Sequence, residues 1–396
     1  MRMNSFKFQL ERWVARPTSF VFVRIFGVFI VFLAGSTSCS HSEFNTQQKE
    51  GTDRQVDVLF YDLKQELRPP VDTILMSDYS RKTSISIFDT LLVLKVSKED
   101  YVYKVFHANR GNLLGKFGKR GEGPGEWKYD VYHRRQFETD GESVFLWFYG
   151  SLQGFISKVN LTESLERGND LPSIDTTINI DGSRFPFNHA LVIDGGSKIF
   201  FTSGNVDPRR STIKMIENLS NDSSRFDSSG LFPKIKNDHM LPSEALYSIY
   251  YSQIRASPDG SKVAQLMSTF DRVNIYTDSI SPSLSIVGGE NWDDEFYDAR
   301  MIDVTSNFME GLNKGYHASA VTEKYIYGLR NHQRTDSKSF QSTVFVFDWE
   351  GRSVCKIVVP HKLFDLAVDE NDRYMYATDL ANDLVLRYDI GKATEL

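Results

Sequence analysis

One short turn recurs along this chain: Asp89-Thr90, Asp140-Gly141, Gly195-Gly196, Asp259-Gly260, Thr322-Glu323 and Asn371-Asp372. The turns come at intervals of about 50 to 65 residues, each between runs of alternating or aromatic-rich residues. Gln136-Phe137-Glu138 precedes the second turn, and Val144-Phe145-Leu146-Trp147-Phe148 follows it. Such a pattern is the signature of a repeated antiparallel β unit. It constrains the architecture far more than it constrains the function.

Reading the unit around Asp259-Gly260 gives strands at residues 252–257, 262–267, 272–276 and 284–287, joined by tight turns. The unit around Asn371-Asp372 repeats this with strands at 365–368, 374–377 and 384–388, and then lacks a fourth. The strand-like Val71-Asp72-Thr73-Ile74-Leu75 precedes the first complete unit and is the expected donor for that edge. An open sheet edge invites pairing with other chains, so closing the ring in this way removes a liability. The expected fold is all-β: a six-bladed β-propeller of four-stranded antiparallel blades, closed by an N-terminal strand. Two stacked β-sandwiches are the competing arrangement, but they do not require six similar units. No amphipathic helical pattern is long enough to add a helical domain.

The N-terminus suggests an address. Arg2, Lys7, Arg12 and Arg16 precede an apolar stretch at residues 25–34, which ends in Gly35-Ser36-Thr37-Ser38-Cys39. A basic start, about ten apolar residues and then small residues read as a secretory signal. A spanning helix needs about 20 apolar residues, and Arg24 interrupts any extension backwards, so a retained anchor helix is the weaker alternative. Small residues running into Cys39 resemble a bacterial lipobox, although Ser36 stands where an aliphatic residue is usual. The resemblance implies cleavage before Cys39 and attachment to outer-membrane lipid, on the periplasmic or surface face; an ordinary cleaved signal is the other reading. The expected organisation is a signal peptide at 1–38, a lipidated cysteine with a flexible polar tether at 39–55, and a propeller at 56–396.

Cys355 is the other cysteine, so a lipidated Cys39 leaves no disulfide within the chain. The propeller must then be held by its core, and a domain of about 340 residues buries roughly three quarters of its unfolded surface. Removing residues 1–38 changes the formal net charge from −6 to −10, leaving 41 basic against 51 acidic groups. An acidic exterior argues against nucleic acid as a partner.

The run Gly115-Lys116-Phe117-Gly118-Lys119-Arg120-Gly121-Glu122-Gly123-Pro124-Gly125-Glu126-Trp127 resembles a segment of the six-bladed β-propeller lipoproteins of Bacteroidetes. These are relatives in shape of the TolB and NHL-repeat propellers, and in them the segment leaves the first blade and enters the second. The resemblance runs from about residue 56 to the end and implies architecture and envelope location, not an activity. Read from the residues alone, the glycines allow a tight path between blades and Pro124 stiffens it. A phosphate cradle fits poorly: Gly111 to Lys116 is one residue short of a P-loop, and Phe117 replaces the magnesium-binding hydroxyl. No nucleotide is expected, and no other cofactor.

The long connections, at residues 116–133, 168–188, 219–248 and 288–315, would crowd one rim. Binding is expected there, and the opposite rim of tight Asp-Gly turns is expected to be purely structural. Aligning the units puts Arg134, Arg135, His189, Arg255, His317 and Asp365 near the starts of inner strands. Basic groups gathered by an acidic protein suit an anionic ligand or a substrate carboxylate. Alternatively, these side chains pair with carboxylates and tie adjacent blades together. Trp127 and Trp292 make a second candidate surface, since an exposed aromatic face can pack on a sugar ring; filling between blades is the alternative.

Eight histidines without a His-x-x-x-His or Glu-x-x-His cluster offer no metal motif, and there is no Gly-x-Ser-x-Gly elbow. Two function classes remain. The first is a non-catalytic, membrane-tethered binding or scaffold protein for a glycan, a peptide or an envelope protein. The second is a polysaccharide lyase or hydrolase, which requires His189 or His317 near another titratable group at an open pocket.

Overall fold

A computed structural model of the chain describes residues 57–391, apart from 62, 64, 77–80, 98, 130, 153, 169–170, 181–186, 194–195, 204–212, 219–222, 227–234, 278–281, 289–314, 334–339 and 380. Cys39, the signal and tether segments, and Trp292 therefore lie outside the described residues. Three N-terminal strands, β1 (Asp57–Tyr61), β2 (Glu66–Leu67) and β3 (Val71–Met76), precede the first blade. Blade I holds β4 (Arg81–Phe88), β5 (Leu91–Ser97), β6 (Tyr101–His107) and β7 (Leu113–Lys119). Blade II holds β8 (Tyr132–Thr139), β9 (Val144–Gly150), β10 (Phe155–Asn160) and β11 (Ser173–Asn179), with helix α1 (Leu161–Arg167) before its last strand. Blade III holds β12 (Phe187–Ile193), β13 (Lys198–Ser203), β14 (Ile213–Asn218) and β15 (Ser223–Phe226). Helix α2 (Ser243–Ile249) leads into blade IV, which holds β16 (Ser252–Ala256), β17 (Val263–Met267), β18 (Arg272–Tyr276) and β19 (Leu284–Gly288). Blade V holds β20 (Ala318–Val321), β21 (Tyr325–Gln333), β22 (Phe340–Asp348) and β23 (Ser353–Val359). Blade VI holds β24 (Leu363–Val368), β25 (Tyr374–Asp379) and β26 (Leu384–Asp389).

These strands form six sheets. Each inner strand packs against the next, and β24 packs against β4, which closes the ring. Every junction has its own apolar cluster. Tyr103, Phe117, Trp127 and Phe148 fill the junction of blades I and II; Leu92, Ala367 and Tyr376 fill that of VI and I. Because blades are covered on both faces, β16, β17 and β18 are buried at every position rather than at alternate ones.

The expected closing strand is present: β3 pairs antiparallel with β26 and supplies the fourth strand of blade VI. The structure adds something the sequence did not suggest. β1 pairs parallel with β19, and β2 pairs parallel with β23, so the N-terminal segment covers the outer edges of blades IV, V and VI in succession. Tyr61 fastens it inward, donating to Asp271 Oδ1 at 2.6 Å. The same carboxylate receives Tyr316 at 2.7 Å and pairs with Arg330 at 2.5 Å. Burial and the Asp271 carboxylate raise the phenol pKa of Tyr61, so it stays a donor.

Two of the expected long connections are shorter than the sequence suggested. Residues 168–188 contain β11, and residues 219–248 contain β15 and α2. Strand β11 reads Ser-Ile-Asp-Thr-Thr-Ile-Asn and is exposed at most positions, so it carries no apolar alternation to mark it.

The recurring turns owe their composition to backbone capping. Asp140 Oδ1 accepts the amides of Glu142 and Ser143 at 3.0 and 2.7 Å, and Asp369 Oδ1 accepts those of Arg373 and Tyr374 at 2.7 and 2.9 Å. An aspartate that satisfies two turn amides with its own side chain is the mechanism behind its preference there.

Candidate functional site

Each inner strand is the terminal strand of its sheet, so one edge of its backbone faces the channel without a strand partner. Side chains from adjoining blades fill that need. Arg135 Nε donates to the Ile85 carbonyl at 2.8 Å, and the Ile85 amide donates to Asp365 Oδ2 at 3.0 Å. Arg135 Nη2 meets Asp365 Oδ1 at 2.5 Å, which completes a clamp on blade I from its two neighbours. Gln136 does the same for blade III: its Nε2 donates to the Val192 carbonyl at 2.6 Å, and its Oε1 accepts the Val192 amide at 2.9 Å. Gln253 Nε2 donates to the His317 carbonyl and Arg255 Nε to the Ser319 carbonyl. His317 Nε2 lies 3.3 Å from the Leu363 carbonyl. Tying blades together is thus a main task of the channel side chains, as one of the two readings of the basic positions held. Gln136 and Gln253 escaped the sequence reading, although a long amide on an inner strand, as Gln253 is on the fully buried β16, is a signal that such a tie is needed.

The basic residues are nevertheless more numerous than ties require. Arg134 Nη2 donates to His189 Nε2 at 3.3 Å and its guanidinium lies over the Tyr149 ring. Arg255 is 3% exposed, yet among the described residues its hydrogen-bond partners are all neutral: Ser319 O, Ile254 O and Gln253 Oε1. Burial, then the neighbouring Arg135 and Arg134, press the Arg255 guanidinium well below its ordinary pKa, with Asp365 opposing them. Arginine stays charged in proteins, so this guanidinium is a buried cation with like charges beside it. Among the described residues, Arg134 Nε, Arg135 Nη1 and both nitrogens of His133 are buried without a hydrogen-bond partner. Burial and the same arginines push the His133 imidazole well below 6.5.

His189 is surrounded by Arg134, Tyr149 and Tyr251. Arginine can only donate, so Nε2 is an acceptor, shared with the Tyr251 hydroxyl at 2.8 Å. The proton then sits on Nδ1, facing the Tyr149 oxygen at 3.2 Å. Both nitrogens are engaged and the ring is 4% exposed, so His189 has no free base for a substrate. His317 is also largely enclosed, with burial lowering its pKa.

The aromatic platform is corrected at Trp127. Its ring is 5% exposed and packs on Tyr103 and Phe148 between blades. The glycine-rich segment is shaped around it: a Cβ on Gly118, at φ +73°, would stand 2.3 Å from the Trp127 ring.

The rim of tight turns is not bare. A cavity of about 430 Å³ opens there, walled by the turn-side ends of the inner strands of all six blades. Arg135 is the only cation among its lining residues, Phe88 and Phe137 stack 5.2 Å apart on one wall, and Glu138, Asp259, Glu323 and Glu370 contribute carboxylates. A second cavity of about 410 Å³ adjoins it between blades IV and V, sharing Ser257, Asp259 and Glu323. No group of histidine, cysteine, aspartate and glutamate residues suited to a metal occurs among the described residues.

No curated protein matches the chain. Similar solved structures include a DUF4221-family member from Bacteroides vulgatus, at 12% identity over 83% of this chain and 97% of that one, with a TM-score of 0.48. Another is a Bacteroides fragilis protein described as exported, at 13% identity over 83% and 94% of the two chains, with a TM-score of 0.44. The β-propeller domain of Cps50 (Swd1) from Myceliophteria thermophila aligns at 7% identity over 78% and 82%, with a TM-score of 0.38. The profile of the TolB-like 6-blade propeller-like family matches residues 79–371, about three quarters of the chain, and with six blades closed in a ring the chain belongs to that family.

Proposed function

We propose that this chain is an envelope lipoprotein, tethered through Cys39, whose propeller is a non-catalytic binding module with its ligand site in the central channel. The observation that carries the binding reading is the cavity of about 430 Å³ walled by all six blades, a volume within the range of small-ligand sites. The basic N-terminal start, the apolar stretch at 25–34 and the small residues before Cys39 support export and lipidation. The saturated contacts of His189 and the enclosure of His317, whose Nε2 lies against the Leu363 carbonyl, weigh against the lyase reading.

The test is to fill the cavity. Val321 lies on its wall at the end of β20, and Val321→Trp should occupy the channel mouth while leaving the blades intact. Purified protein lacking residues 1–39 should be stabilised against heat by one or more fractions of an envelope extract, and Val321→Trp should lose that response. Equal responses from both proteins would place binding elsewhere and sink the channel reading. Cys39→Ser should move the full chain from the membrane to the soluble fraction, and continued membrane retention would overturn lipidation.

A further inference from the structure

The channel cavity is charged in layers. Arg135 lies deepest, because it pairs with Asp365, three strand residues before Val368 at the end of β24. At roughly 3.3 Å per residue that is about 10 Å of depth. Arg134 and Arg255 add positive charge close to Arg135, and Asp365 is the single carboxylate bonded to any of the three among the described residues. Between Arg135 and the turns the wall is apolar, with Ile87, Phe88, Phe137 and Val192, and with Val321 and Val368 at the strand ends next to the mouth. The turns at the mouth carry Glu138, Asp259, Glu323 and Glu370. Glu138 is occupied by Trp147 Nε1 and Lys158, and Asp259 by Ser257 and Ser261. Glu370 accepts only the Asp89 amide, at 3.2 Å, and Glu323 is exposed without a partner among the described residues.

A ligand that matches these layers carries an anion at one end, an apolar body, and donors or a positive charge about 10 Å away. An extended peptide spans about 3.3 to 3.6 Å per residue, so three residues cover that depth. We propose that the channel binds the C-terminal end of a peptide, carboxylate inward toward Arg135, apolar side chains along Phe88 and Phe137, and amine or backbone donors at Glu323 and Glu370. This rests on the channel being the binding site. Arg135 Nη1, buried and without a partner, is the donor left for the incoming carboxylate, since Nε and Nη2 are engaged by Ile85 and Asp365. The positive charge of Arg134 and Arg255 nearby supplies attraction that the described residues leave unmatched. The same chemistry comes either from free short peptides or from the C-terminus of an envelope protein.

The experiment changes the ligand rather than the fold. Protein lacking residues 1–39 is titrated calorimetrically with the tripeptide Lys-Val-Leu as free acid, as C-terminal amide and as N-acetylated acid. The same tripeptide, appended by a flexible linker to the C-terminus of an inert carrier protein, forms the fourth arm. The free acid should bind, the amide at least tenfold more weakly, and the N-acetyl form severalfold more weakly. Glu323→Gln and Glu370→Gln should weaken the free-amine peptide severalfold and leave the acetylated one unchanged. Binding of the carrier-borne tail equal to the acetylated peptide identifies protein C-termini as acceptable sources; binding of the free and acetylated peptides but not of the tail restricts the site to short peptides. Equal affinity for acid and amide overturns the proposal. So does failure of all peptides when an acidic oligosaccharide binds and Val321→Trp abolishes that binding, a result that spares the channel reading. Loss of the peptide proposal together with a Val321→Trp protein indistinguishable from the parent would remove both.

Discussion

The glycine-rich segment packs as a wrapper for one tryptophan, and Gly118→Ala tests this with a worked magnitude. At φ +73° any side chain costs about 1 kcal/mol in backbone strain. The added methyl would lie 2.3 and 2.6 Å from two atoms of the buried Trp127 ring, and overpacking of this kind costs about 1 to 3 kcal/mol more. Gly260, at φ +70° with nothing within 4 Å of the added Cβ, isolates the first contribution. Urea unfolding of the protein lacking residues 1–39 should therefore show Gly260→Ala costing about 1 kcal/mol and Gly118→Ala about 2 to 4. In a Trp127→Ala background the penalty at Gly118 should shrink to that of Gly260, giving a coupling of about 1 to 3 kcal/mol. Equal penalties at the two glycines, or a Gly118 penalty unchanged without the indole, would refute the packing account.

Three further outcomes follow from the same contacts. A chain beginning at residue 70, without β1 and β2, should remain a folded monomer of reduced stability, whereas one beginning at residue 79 leaves β26 unpaired and should self-associate on size exclusion. Asp365→Asn strands a guanidinium that is 9% exposed and should cost about 3 to 5 kcal/mol, much of it recovered in Arg135→Met/Asp365→Leu; a loss below about 1 kcal/mol would contradict the clamp. His133 is held neutral when folded, its pKa lowered well below 6.5, while the unfolded imidazole takes a proton near 6.5. The unfolded state then binds more protons below that pH, so stability is full above about 6.5 and falls by about 1.4 kcal/mol per pH unit on acidification. His317 adds a slope of the same sign. His133→Phe should reduce the acid slope without loss of stability at pH 7.5, because it removes two buried nitrogens that have no partner.

Strand positions in blades IV and VI were legible to within two residues, because tight Asp-Gly turns and apolar runs mark both ends of each strand. The donor strand was legible too, since a missing fourth strand creates a need that Val71-Asp72-Thr73-Ile74-Leu75 could meet. β1 and β2 were not: a parallel strand added outside a complete blade answers no deficiency visible in the pattern. The inner-strand basic residues were found, but their partners were not, because ties such as Arg135 to Asp365 join positions 230 residues apart. The cavity on the turn rim was not legible in the sequence, for a physical reason. Aspartates that cap turns look structural one at a time, and only the ring brings their neighbours Glu323 and Glu370 around a shared opening.

The central claim is that the base of the channel binds an anion at Arg135. Crystals of the protein lacking residues 1–39, soaked in sodium bromide and measured at the bromine absorption edge, test it most directly. The account predicts an anomalous peak inside the channel within hydrogen-bonding range of Arg135. Bromide peaks confined to the outer surface, with none in the channel, would contradict it.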